Sequence, residues 1–193
     1  MPSKTEIIFI TTNKHKVKEI SDLAIAEAKS ITIEHLDYDY PELQLDELES
    51  VAEESANYIR EKIAIKKPFF LEDSGLFIHA LNGFPGPFSA FVFDKIGNDG
   101  ILKLMADKKG EARNATFKTV VAFCESVKTA PVLFTGVAEG KIADEKRGEG
   151  GFGYDPIFEV VGAGKTFAEM STTVKNEVSH RSSAFRKMLN HIS

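Results

Sequence analysis

Along the first third of the chain, runs of apolar residues alternate between two periods. Glu6-Ile-Ile-Phe-Ile-Thr11 is a short β-branched run closed by polar residues and reads as a buried strand. Residues 12–15 form a loop. From Lys16 the spacing turns helical, with Val17, Ile20, Leu23 and Ala24 on one face. Residues 31–36 are a second strand, so the opening is a β-loop-α-β unit of the kind that feeds a parallel sheet. Residues 37–42 make a polar loop, and Leu48, Val51, Ala52, Ile59 and Ile63 mark the inner face of a long amphipathic helix. Residues 68–72 read as the next strand, cut short at Asp73-Ser-Gly75, with an extended continuation over residues 76–81.

Asn82-Gly-Phe-Pro-Gly-Pro87 is a stiff turn cluster, and Ile101, Leu102, Leu104 and Met105 predict a short helix after it. Residues 115–124 and 132–142 read as two long strands in an antiparallel hairpin. A last helix from about Thr172 carries Val178, Phe185, Met188, Leu189 and Ile192 as its apolar stripe. The fold class expected is α/β with a mixed sheet.

Composition narrows the function. The 193 residues, 42% hydrophobic and 27% charged, suit a packed domain of ordinary size. A net charge of −5 argues against a sequence-independent grip on nucleic-acid polymer, which needs a basic face, but leaves room for a small anionic ligand. Cys124 is the lone cysteine, so no intrachain disulfide forms, in keeping with a reducing compartment. The first apolar run is too short for a signal peptide, and no stretch has the length of a membrane span. A soluble cytoplasmic protein without a membrane partner is the expectation.

Chemistry concentrates in a few segments. Thr11-Thr-Asn-Lys-His-Lys16 lies between a strand end and a helix start, where free N–H groups and the helix dipole favour an anion. The alternative is a helix capped by Asn13 with two solvated lysines. In Leu71-Glu-Asp-Ser-Gly75, a regular strand would send Glu72 and Asp73 to opposite faces, so a strand break would aim Asp73 and Ser74 into a crevice. Glu42 and Asp73 are hard oxygen donors that suit magnesium if the fold unites them. Lys175, Ser179 and Ser182 fall at helical spacing beside His180 and Arg181, which can reach a phosphate and a base edge. In Gly148-Glu-Gly-Gly-Phe-Gly-Tyr-Asp-Pro156, the glycines admit a ligand close to the backbone and Phe152 or Tyr154 can stack on a flat ring. Asp155 can accept from ring N–H groups, and a plain aromatic anchor is the competing reading.

In order, TTNKHK, LEDSGL with GFPGPFSA, GFGYDPIF, and KTFAEMS with VKNEVSHR resemble the inosine triphosphate pyrophosphatase (Ham1-like) family, over about residues 7–189 and most closely its archaeal members. The resemblance implies hydrolysis of ITP, dITP and XTP to the monophosphate and pyrophosphate. It implies a single two-lobed domain around a long mixed sheet, with the active site in the cleft, and a homodimer. It implies Mg2+, with Mn2+ as alternative, held by Glu42 and Asp73, and Asp73 as the catalytic residue. Substrate contacts carried over by motif are Thr11, Thr12, Asn13, Lys14, His15, Lys16, Lys62, Ser74, Phe152, Gly153, Tyr154, Asp155, Lys175, His180 and Arg181. The chain departs from the family at Thr12, where glycine is usual, and at Phe91 and Phe93, where arginine and tyrosine are common. A Maf-like pyrophosphatase, a non-catalytic nucleotide-binding module and a structural dimer are the rival readings.

Overall fold

The computed structural model describes residues 5–27, 30–41 and 43–192. Strands Thr5–Ile10 (β1) and Ile31–Leu36 (β2) pair in parallel, and Lys14–Glu27 (α1) makes the crossover between them. The helix starts two residues before the expected Lys16. Asn13 explains this: its side-chain Oδ1 accepts from the backbone N–H groups of His15 (2.9 Å) and Lys16 (3.2 Å) and so caps the first turn. Helix Leu48–Lys62 (α2) buries Leu48, Val51, Ala52 and Ile59 as its spacing predicts, and Ile63 lies just past its end.

The expected break at Asp73-Ser-Gly75 does not occur. Phe69–Ile78 (β3) is one continuous strand of ten residues, and only then does the chain turn through a short 3-10 segment at His79–Leu81. Gly75 serves a different end: a Cβ there would lie 2.4 Å from the carbonyl oxygen of Gly86. Its missing side chain lets Pro85–Gly86 (β4) lie against β3.

Three further elements differ from their patterns. Ser89–Leu104 (α3) begins well before Ile101, because the kink at Gly97 (φ 57) disrupts the period and Phe91, Phe93 and Ile96 stand on its exposed side. The hairpin of Asn114–Cys124 (β5) and Val132–Ile142 (β6) forms as expected, but Phe158–Val160 (β7), too short to show a pattern, extends its edge. The last helix is two: Thr172–Val178 (α4) and His180–Ile192 (α5), parted at Ser179, whose backbone is extended (ψ 150). Val178 therefore leaves the apolar stripe and is exposed, while Phe185, Met188 and Leu189 are buried.

The strands of the described residues form a seven-stranded mixed sheet in the order β2-β1-β3-β5-β6-β7, with β4 on β3. Helices α1 and α5 cover one face over Phe70, Val121 and Phe123; α2 covers the other over Phe69, Leu71, Val120 and Ala122. A third apolar cluster, around Phe117, Phe158 and Phe167, fills the far end. One local feature of this topology creates the site. Strand β1 pairs with β3 at Phe69 and Phe70, and β4 pairs with it at Leu76 and Phe77. Between them, on that side, residues 71–75 have no strand beside them.

Candidate active site

A cavity of about 690 Å³ opens at this gap in the sheet, a size usual for small-molecule sites. Because the β3 edge is uncovered there, side chains from both faces of the strand reach one hollow. Glu72 and Asp73 both line it although the strand is regular. The two carboxylates still point to opposite faces, and the open edge lets the cavity reach both.

On the α5 side, Glu72 is fully buried at the centre of an ionic network. Its Oε1 accepts from Arg181 Nε (3.1 Å) and lies 3.2 Å from Lys16 Nζ, and its Oε2 accepts from Ser74 Oγ (2.7 Å). Lys16 Nζ also donates to the Glu72 backbone carbonyl (3.1 Å), taking a position a neighbouring strand would otherwise hold. Burial pushes the Glu72 carboxyl up, but Arg181 and Lys16 outweigh it and hold its pKa at about 2. Arg181 reaches on to Glu19, with Nη1 2.5 Å from Oε2, and Glu19 Oε1 accepts from Lys175 Nζ at 2.7 Å. Lys175 Nζ in turn donates to Asp155 Oδ2 (2.7 Å). Burial dominates at Asp155, and Lys175 offsets it only in part, so its pKa is raised from its ordinary value.

The aromatic loop is braced from within. Asp155 Oδ2 accepts the backbone N–H of Phe152 (2.8 Å), and a Cβ on Gly151 (φ 71) would fall 2.0 Å from that same oxygen. The glycine thus makes room for the loop's own carboxylate, and Asp155 ties Phe152 to Lys175. Tyr154 is the anchor: it is buried, donates to the Ser89 carbonyl (3.0 Å) and meets the edge of Phe93. Phe152 is half-buried on the cavity wall, with the His15 ring stacked on it at 5.1 Å and an interplanar angle of 14°. Lys175 Nζ and Arg181 Cζ each lie 5.4 Å from the Phe152 ring centre.

His180 lines the same cavity, its ring parallel to Phe117 at 4.5 Å and 5°. Its Nδ1 is buried and has no hydrogen-bond partner among the described residues. Burial, then Arg181 and Lys175, lower its pKa well below the usual imidazole value, so the ring is neutral at pH 7. A neutral imidazole fixed by stacking offers one donor and one acceptor.

Most of the residues singled out in the sequence meet here: Thr11, Thr12, Asn13, His15, Lys16, Asp73, Ser74, Phe152, Gly153, Tyr154, Asp155, His180 and Arg181 all line the cavity. Lys175 stands behind Phe152 in the ion network. Lys14 and Lys62 are exposed and outside the lining. Glu42 lies outside the described residues. Thr12 sits without strain, since Asn82 (φ 53) is the one non-glycine with a left-handed backbone among the described residues. Glu19 escaped the sequence reading altogether. Its signal was its place three residues after Lys16 and one before Ile20, on the inward side of α1.

The chain is similar to several known proteins. The family model described as "Ham1 family" matches residues 7–191. Over 95% of both chains, the protein is 50% identical to the dITP/XTP pyrophosphatase of Methanosarcina acetivorans. It is 46% identical to that of Thermococcus kodakarensis, again over 95% of each chain. Among solved structures, a HAM1 protein from Coxiella burnetii superposes with a TM-score of 0.81 at 31% identity, covering 97% of this chain and 98% of its own.

Proposed function

The chain belongs to the Ham1 family, and we propose that it hydrolyses the non-canonical purine triphosphates dITP, ITP and XTP to the monophosphate and pyrophosphate, clearing them from the nucleotide pool. The observation that carries this reading is a single cavity with three functions on its walls: the capped start of α1 with Lys16, the Asp73 carboxylate, and the Phe152 ring with His180 and Arg181. A nucleoside triphosphate needs these together, for its charged tail, its scissile bond and its base.

The charge balance gives the metal a reason. Lys16, Lys175 and Arg181 are already engaged by Glu72, Glu19 and Asp155, so they add little net positive charge against a triphosphate. Among the described residues no three His, Cys, Asp or Glu side chains gather into a metal cage. The donor present, Asp73, is a hard oxygen ligand on the cavity wall, and this suits a magnesium site completed by substrate phosphates and water. Asp73, joined by Glu42, would hold the ion, which when bound neutralises phosphate charge as pyrophosphate departs. Manganese is the alternative metal. A homodimer and a cytoplasmic location go with the same reading.

The chain's own groups account for the rest. Asp73 orients or deprotonates a water, whose oxygen bonds to the α-phosphorus while the α–β phosphoanhydride bond breaks and pyrophosphate leaves. Phe152 offers a stacking surface. Neutral His180, with Arg181, faces a base whose 6-oxygen accepts hydrogen bonds, where adenine presents an amino donor. Replacing His180 with phenylalanine keeps the stack on Phe117 but removes the polar edge. The expected outcome is a fall in the ITP-over-ATP ratio of kcat/KM by about five- to a hundredfold, the worth of one buried polar mismatch. Steady-state rates on both nucleotides check it, and an unchanged ratio assigns base reading elsewhere.

A further inference from the structure

We infer that His15 sets the affinity for the base by holding the stacking surface of Phe152 itself, so that a purine must take its place. The inference rests on the reading of Phe152 as the base platform. The His15 imidazole lies 5.1 Å from the Phe152 ring at 14°, within the geometry of an aromatic stack. Three groups crowd that ring: His15, Lys175 and Arg181. The two cations cannot yield. Each is buried and fixed by ion pairs to Glu19, with Asp155 or Glu72 as a second partner. His15 can, because its residue is exposed and, among the described residues, its hydrogen bonding to the Asn13 cap goes through the backbone and leaves the ring held by the stack. An exposed side chain changes rotamer in picoseconds to nanoseconds.

His15 is thus an internal competitor for the base. It discriminates by ring area: a purine, with two fused rings, covers Phe152 better than an imidazole does, whereas a pyrimidine gains less from the exchange. This assigns His15 to the base end of the site and not to the phosphate tail, where its motif alone would put it.

Calorimetric titration of dIMP and, separately, of tripolyphosphate into the full chain in magnesium buffer tests the assignment. His15→Ala should bind dIMP roughly two- to tenfold more tightly, the range one aromatic pair is worth, with tripolyphosphate affinity unchanged. His15→Phe, a stronger competitor, should bind dIMP more weakly than the native chain. If His15→Ala leaves dIMP binding unchanged or weakens it, the competitor role is wrong; weaker tripolyphosphate binding by that variant makes His15 a phosphate contact instead. Phe152→Ala separates the two layers: unchanged dIMP affinity there overturns the platform itself, while a loss there with no gain in His15→Ala overturns only the role of His15.

Discussion

Asp73→Asn should lower kcat by roughly 10²–10⁴-fold, the usual worth of a positioned acid–base group, while the protein melts at the native temperature. Asparagine matches the carboxylate in size and shape and keeps the bond in which Asp73 Oδ1 accepts the backbone N–H of Ser74 at 2.8 Å. What is lost is the negative charge and the proton acceptor on the cavity wall. Glu72 cannot take over. Its carboxylate is fully buried between Arg181 and Lys16, and a group held at a pKa of about 2 is a poor base. Single-turnover rates beside a thermal melt decide the matter. A variant with near-native turnover removes Asp73 from the chemistry, and one that melts early makes its role structural.

The second large effect is on stability. Arg181 is the cation shared by Glu19 and Glu72, and it also donates to Ser74 Oγ (3.3 Å). Arg181→Met keeps most of the side chain's bulk but leaves the buried Glu72 and the partly buried Glu19 each short of a partner. Breaking a buried pair from one side costs about 3–5 kcal/mol. Lys16 and Lys175 still reach the two carboxylates, so about 3 kcal/mol is expected. For a chain of this size that lowers the melting temperature by roughly 6–12 °C. The double variant with Glu72→Gln should recover part of the loss, because the orphaned charge is then gone. A single variant as stable as the native chain would mean the network is solvated and carries no structural weight.

The sequence was informative where physics is local. The first crossover, the inner face of α2 and the β5–β6 hairpin follow from periodicity, and the phosphate loop, the aromatic loop and the His180-Arg181 pair were visible as clusters of residue types. Local reasoning failed where a distant partner decides the outcome. Gly75 looks like a break until Gly86 packs on it. A strand break was expected to aim Asp73 and Ser74 into a crevice, yet the crevice comes from β1 and β4 leaving part of β3 uncovered, a property of topology that no short window contains. Phe152 and Tyr154 were indistinguishable by type; their roles separate only once Ser89 and Phe93 claim Tyr154. Glu19 carries no motif, and its importance follows from cations that lie more than 150 residues further along the chain. The single kink at Gly97 hid half of α3.

Identifying the products of dITP cleavage tests the central claim most directly. With magnesium present, the chain should release one pyrophosphate and one dIMP per dITP consumed, with ATP turned over far more slowly. Release of orthophosphate with dIDP, or equal rates on ATP and dITP, would contradict it.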